Sequence, residues 1–428
     1  MTFKKIYLYF LIIIYIISYF LGFDFREISN GAGHTDLQLH IWPLINDFKE
    51  NYLDTLENYL FYKEATFPFF HSLQSILNPF TSEVINYCFT NTIFNMFILI
   101  IFYYLVKKKK IFIENYELGI LLSVIFLLSP WFRSSSYWGM TENLSIFFLL
   151  PACFYFSKLI NKQDNIQSNI LLTLFISLAL YSRQQFIFLA IAHLVILIVN
   201  KDINKLFYSI FIYILLSIPG LYVYSLWGVF ENLNNATSAS HYISLKNIYT
   251  NVPKISIMIL FYLIPILVLN FKKIYDFLKS KKFLFLFGII FIVEFLLFKG
   301  IEYPKKGGGY LIKFNQIFLN NNFYFLIFLS SFFFSLLIWN IKKIDKSFIV
   351  LLLSIFIIIG LPEYIYQEWF DPIYLIFIYI LLPTSILKNL NLTSSFAIYF
   401  LFFWETLILF IAIFYYHFFL KIPFFYNF

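Results

Sequence analysis

The sequence predicts an all-α, polytopic membrane protein, and three observations predict it. Of 428 residues, 61% are hydrophobic and only 13% are charged, against roughly 25% charged in an ordinary soluble domain. Sixty Phe and 33 Tyr cannot be hidden in one soluble core of this length. The apolar residues fall into about 13 runs, each near the ~20 residues that a helix needs to cross hydrocarbon. Short lysine clusters separate those runs, so the net charge of +8 marks membrane topology rather than a nucleic-acid surface.

Taken in order, the first run is 6–22, behind Lys4 and Lys5. It lacks small-residue cleavage chemistry and is expected to stay as an uncleaved span. Further spans are expected near 84–106, 116–130, 142–160, 168–182, 184–200, 205–227, 255–271, 283–298, 322–341, 347–361, 372–387 and 395–419. With the amino terminus in the cytoplasm, the lysine clusters at 107–110, 272–282 and 342–346 fall inside. The outside segments are then 23–83, 131–141, the turn at 183, 228–254, 299–321, 362–371 and the carboxyl end. All three arginines lie outside, and function is expected on that face.

Several chemistries are not indicated. Cys88 and Cys153 fall in or beside apolar runs, so no disulfide framework or thiolate site is expected. The cytoplasmic connections hold no Gly-rich phosphate loop. No internal repeat is found, which argues against a secondary transporter, and with no H-x-x-x-H or C-x-x-C spacing no metal site is assigned.

The outer stretch Gly31–His71 carries the clearest chemistry. Leu37, Ile41, Leu44, Ile45 and Phe48 recur at helical spacing, so a helix there would bury that stripe. Asp36 and His40 would lie on a neighbouring face, one turn apart, with Asp47 further along in solvent. Thr66, Pro68 and His71 form a second polar knot. Arg183 separates two apolar runs, where a cation is costly unless it meets an anion, a cavity or the interface. The loop EYPKKGGGYLIKFNQ adds Lys305, Lys306 and Lys313 beside three glycines, which let backbone approach a ligand closely. Each of these features also fits a solvated face or a snorkelling side chain. Together they suggest a phosphate held by Arg183 and the lysines, with Asp36 accepting a proton from an attacking hydroxyl.

In this order the residues resemble the GT-C glycosyltransferases, and more narrowly the α-1,2-glucosyltransferases that use dolichyl-phosphate glucose. Asp36-Leu-Gln-Leu-His40 keeps the Asp and His of that family's Asp-Glu-x-x-His motif, and Thr66-Phe-Pro68 is similar to its Thr-Pro pair. Arg183-Gln184-Gln-Phe-Ile187 resembles its Arg-Gln-Thr-Asn-Ile motif. Lys305 and Gln316 fit a Lys-to-Gln spacing, with Lys313 in a histidine's place, and Glu368 in YQEWFDPIYL matches a late acid. Leu37 replaces the family's second acid, Pro304 stands where its loop has Asp, and the Arg after Glu368 is absent.

The resemblance implies one integral GT-C-like domain over 1–428, with an extracytoplasmic catalytic loop of amphipathic helices at 23–83 and a basic Gly-rich loop at 299–321. It implies inverting transfer of a hexose from a polyprenyl-phosphate donor to a glycan or glycolipid acceptor. Asp36 would be the general base, and Arg183, Lys305, Lys313 and His40 would hold the donor phosphate. Gln184, Gln316, Thr66, His71 and Glu368 would contact substrate. No cofactor is required, although a divalent metal is compatible with the chemistry. The partners are the donor, the acceptor and the bilayer, with no nucleic acid. A surface-polysaccharide polymerase or ligase and a lipid-linked oligosaccharide flippase are the alternatives. The Lys-, Asn- and Ile-rich style points to a bacterial inner membrane. In an endoplasmic reticulum membrane, Asn235-Ala-Thr237 would be a glycan acceptor.

Overall fold

The computed structural model describes residues 3–30, 33–59, 66–112, 115–228, 244–298, 309–340 and 345–422. Lys305, Lys306 and the Asn235-Ala-Thr237 sequon lie outside the described residues. Most of the described residues are helical, with no β-strand among them.

In chain order the helices are α1 (Phe3–Asp24), α2 (Gly33–Asp36), α3 (Trp42–Glu50), α4 (Tyr52–Glu57), α5 (Phe69–Leu77), α6 (Val84–Lys108) and α7 (Tyr116–Val124). There follow α8 (Pro130–Tyr137), α9 (Glu142–Ile160), α10 (Ile166–Ser182), α11 (Ile187–Val199), α12 (Ile203–Leu226), α13 (Leu245–Leu269) and α14 (Phe271–Lys279). The last are α15 (Lys281–Phe298), α16 (Tyr310–Phe318), α17 (Phe323–Asn340), α18 (Lys346–Ile359), α19 (Ile373–Ile376), α20 (Thr384–Asn389) and α21 (Ser395–Phe414).

Seven of these, α1, α6, α9, α12, α13, α17 and α21, are long and apolar enough to cross a membrane. Tyr116–Leu128 and Pro130–Tyr137, bent by 68° at their junction, make an eighth if taken as one span. The count is lower than the apolar runs suggest, for identifiable reasons. Helices Ile166–Ser182, Gln184–Val199 and Lys346–Ile359 are apolar but short. Helix α15 carries Lys281, Lys282 and Glu294. The run at 372–387 is broken into α19, a π turn over Phe377–Leu381, and α20 beyond Pro383. The bend follows from local chemistry too. Ser129 is extended and its hydroxyl caps α8 by accepting from the Phe132 amide, while Pro130 fixes the first helical position.

The chain forms two compact units. One takes Met1–Phe186, Ser209–Ser238 and Asp371–Phe428, and the other Ile187–Tyr208 and Ala239–Phe370. In the first unit α9 and α10 pack as an antiparallel pair, and α1, α7, α8 and α21 gather around the Ile125–Leu128 turn. In the second unit α13 packs on α17, α17 on α15, and α11 on α18.

The broken run at 377–387 is held by a lysine. Lys109 Nζ donates to the carbonyls of Tyr379 at 3.3 Å, Ile380 at 2.7 Å and Leu382 at 2.7 Å. Those carbonyls sit where Pro383 ends the helix, so the ammonium supplies the donors that the backbone has lost. Burial lowers the Lys109 pKa to about 8. Lys109→Met should therefore leave buried carbonyls unpaired at a cost of about 1–3 kcal/mol. The fall in melting temperature in detergent should exceed that of the exposed neighbour variant Lys108→Met.

Candidate functional site

The first unit holds the described part of the stretch 31–71. The stripe predicted to be buried is buried: Leu37, Leu44 and Ile45 are fully inaccessible, and Ile41 and Phe48 nearly so. The helix is not regular. Leu37–Ile41 forms a π turn, in which the Trp42 amide donates to the Leu37 carbonyl five residues back. Such wide turns insert one residue into a helix and recur at functional sites. Asp36 stands at the start of this turn and His40 within it, and both are half-buried. Asp47, expected in solvent, is half-buried as well.

The segment leading to Asp36 is fixed by a buried ion pair. The Arg133 guanidinium meets Glu27 in a two-pronged contact, Nε to Oε1 at 2.9 Å and Nη2 to Oε2 at 2.6 Å. Its other donors reach the Leu127 carbonyl at 3.1 Å and the Ser18 carbonyl at 2.9 Å. Next in the chain, the Ile28 amide donates to His417 Nε2, and the Ser29 hydroxyl to the Pro130 carbonyl. That fixes the imidazole tautomer, with Nδ1–H donating to the Ile422 carbonyl. Gly33 then packs against α8. A Cβ there would lie 2.7 Å from Trp138 and 3.0 Å from Ser134 Oγ, so only glycine fits so close.

The neighbouring residue of α8 leads to the predicted guanidinium. The Ser135 hydroxyl donates to Glu142 Oε2 at 3.1 Å, and Glu142 Oε1 lies 2.8 Å from Arg183 Nη2. Arg183 is thus the ion-pair partner of an acid at the start of α9, with both side chains about 14% exposed. Gln184 beside it is exposed. On the opposite flank, α3 packs on α5 and brings His71 into the same region. His71 is completely buried and its Nδ1 lies 3.1 Å from the Tyr59 hydroxyl. Tyr59 in turn stacks on Trp227, with rings 5.5 Å apart and 7° from parallel. Burial, and secondarily His40, push the His71 pKa down to about 3, so the ring is neutral at working pH. His71 Nε2 has no hydrogen-bond partner among the described residues. Thr66, half-buried, precedes Phe67, whose ring meets Tyr181, Tyr224 and Trp227.

The second unit brings together the late residues of the expected site. The Tyr310 amide donates to Gln367 Oε1 at 3.3 Å, and a Cβ on Gly309 would collide with that oxygen. The end of the Gly-rich loop is thereby set against the segment that holds Glu368. Lys313 and Gln316 are half-buried on α16, as is Glu368. Desolvation lowers the Lys313 pKa. Asn315, between them, is fully buried and its side-chain amide has no partner among the described residues.

Asp36, His40, Thr66, His71, Arg183 and Gln184 therefore belong to one unit, and Lys313, Gln316 and Glu368 to the other. Sequence reasoning missed Glu27, Arg133, Ser135 and Glu142. Arg133 had the same signal as Arg183, a guanidinium beside apolar runs. Glu142 was one acid among many outer ones. It also missed a buried pair in the first unit, Asp371 and Glu405, where the Tyr374 hydroxyl donates to Glu405 Oε1 at 2.5 Å. Burial raises the Asp371 pKa. No group of three or more His, Cys, Asp or Glu suited to a metal ion occurs among the described residues.

Compared with protein-family models, curated proteins and solved structures, the chain matches none.

Removing either partner of the Glu27–Arg133 pair leaves an uncompensated buried charge. Glu27→Gln or Arg133→Met should cost about 3–5 kcal/mol. Thermal unfolding in detergent checks this. The double variant Glu27→Leu/Arg133→Met should recover part of the loss, since no lone charge remains.

Proposed function

We propose that this chain is an integral membrane glycosyltransferase of GT-C type. It moves a hexose from a polyprenyl-phosphate donor to a glycan or glycolipid acceptor at the non-cytoplasmic face, with inversion. One observation carries the reading. The short helix α8 receives Gly33, three residues before Asp36, on Ser134 and Trp138, and receives Glu142 and Arg183 through Ser135. The segment that leads into Asp36 and the Glu142–Arg183 pair thus share one support.

Asp36 takes the proton of the acceptor hydroxyl as its oxygen attacks the sugar C1. The C1–O bond to phosphate breaks on the opposite side, and the electron pair leaves with the prenyl phosphate. Because phosphate is a good leaving group, the protein need only stabilise its charge. Arg183 and His40 of the first unit serve that role, while neutral His71 contacts substrate hydroxyls. Gln184 and Thr66, in the same unit, complete the substrate contacts. The reading carries with it a topology of about 13 spans, in which the short helices and the broken run also cross. It places the chain in a bacterial inner membrane, with the acceptor in the cell envelope.

A flippase for lipid-linked oligosaccharide is the second reading, favoured by acids buried on the helices α15 and α21. Glu294 accepts from Ser330 and Ser331, and Glu405 from Tyr374. Ionisable groups buried among membrane helices often mark a transport path. A surface-polysaccharide polymerase or ligase would use the same site on a larger acceptor.

Asp36→Asn should leave the protein folded and inserted while lowering transfer about 10²–10⁴-fold, because an amide cannot accept the proton. The exposed Glu50→Gln serves as control and should transfer normally. The assay is hexose transfer from a prenyl-phosphate sugar in membranes with matched protein levels. If Asp36→Asn transfers as well as wild type, Asp36 is not the base. In the same assay Arg183→Lys should also be impaired, since lysine lacks the planar fork that Arg183 offers to Glu142 and phosphate. Normal donor use by both Arg183→Ala and Arg183→Lys would reduce the residue to a structural partner of Glu142.

A further inference from the structure

Helix α14 joins two apolar helices, α13 and α15, and has an unusual division of its surface. Its sequence FKKIYDFLK places Phe271, Ile274, Tyr275, Phe277 and Leu278 on one side at helical spacing. Lys272, Lys273, Asp276 and Lys279 take the other side, and Lys281 and Lys282 follow at once. Only Ile274 is buried in the protein, at 9% exposure. Phe277 meets Trp339 at the end of α17, with ring centres 6.0 Å apart, and Trp339 also meets Phe283. Phe271, Tyr275 and Leu278 are exposed at 64%, 47% and 37%, and the Lys279 ammonium lies 4.2 Å over the Tyr275 ring.

A soluble surface would not leave three large apolar side chains bare beside a lysine array. A helix lying in the membrane interface would. There the apolar side enters the acyl boundary, the lysines reach the headgroups, and a tryptophan marks the same depth. The helix also follows directly on α13, one of the helices long and apolar enough to cross a membrane. Five lysines against Asp276 leave a net positive array, which selects among headgroups by charge. We propose that α14, with Lys281 and Lys282, is a binding surface for anionic phospholipid on the lysine-rich face of the membrane. Its occupant is the phosphate headgroup of a lipid, seated by lysines 272, 273, 279, 281 and 282. The inference is independent of the transferase reading, because it uses none of its residues.

The test uses the full chain in non-ionic detergent, titrated with phosphatidylglycerol or phosphatidylcholine, with bound lipid counted by native mass spectrometry. Wild type should bind phosphatidylglycerol more tightly than phosphatidylcholine. A lysine near an anionic surface contributes on the order of fivefold in affinity. The triple variant Lys272→Gln/Lys273→Gln/Lys279→Gln should therefore lose on the order of 10²-fold for phosphatidylglycerol and keep its phosphatidylcholine binding. The matching triple Arg variant retains every charge and should bind as wild type does. Equal binding of the two lipids by wild type overturns the proposal, as does normal phosphatidylglycerol binding by the Gln triple. Loss of binding by the Arg triple overturns it as well, since charge would not then be the cause. Loss of equal size in Lys107→Gln/Lys108→Gln, on another helix, would show that general charge and not α14 decides.

Discussion

The Glu27–Arg133 ion pair is the constraint on which the first unit depends. Two charges taken out of water cost several kcal/mol each unless geometry and extra hydrogen bonds compensate. Here the guanidinium makes two bonds to the carboxylate and more to the carbonyls of Leu127 and Ser18. Those bonds join the end of α1, the turn before α8 and the strand of chain that leads to Asp36. Because both groups are buried in the protein and each satisfies the other, the pair sets one register for these three segments. The Ser29 and Ile28 bonds and the glycine contact at Gly33 then extend the same register to the π turn.

From that anchor, the polar contacts that lead to Arg183 follow by short steps along one helix. Ser134 and Ser135 are consecutive, so on a helix they point in directions about 100° apart. One meets the Asp36 segment and the other meets Glu142, which holds Arg183. The pairing changes the electrostatics of the proposed phosphate site. Arg183 brings its own counter-ion, so an incoming phosphate would share the guanidinium with Glu142 or displace it. His71, neutral and buried under Tyr59 and Trp227, contributes hydrogen bonding rather than charge.

Much of the fold was legible because membrane helices obey a strong rule: backbone groups must be satisfied within the segment. Long apolar runs therefore became helices, and the stripe from Leu37 to Phe48 gave its buried face through the 3.6-residue period. Other features were not legible, for physical reasons. The Glu27–Arg133 contact joins residues 106 positions apart, and no local pattern encodes such a pairing. The π turn after Asp36 arises from packing, since its residues differ little from those of a regular helix. The break at Pro383 and the shortness of Ile166–Ser182, Gln184–Val199 and Lys346–Ile359 were not legible, because apolar composition alone does not show where a helix stops. Arg183 was visible as a costly cation, but its partner Glu142 looked like any loop acid until the fold placed them 2.8 Å apart.

The central claim is that a hexose leaves a prenyl phosphate in this protein and joins an acceptor hydroxyl. The most direct measurement incubates the purified wild-type chain with a prenyl-phosphate hexose labelled in the sugar and with envelope glycolipid extract. Products are then separated and the anomeric configuration of any new linkage is read by NMR. The account predicts one prenyl phosphate released for each sugar transferred, with the configuration at C1 inverted. Retained configuration would contradict direct displacement. Movement of the labelled lipid across a vesicle membrane with its sugar bond intact, and no transfer, would contradict the enzyme assignment itself.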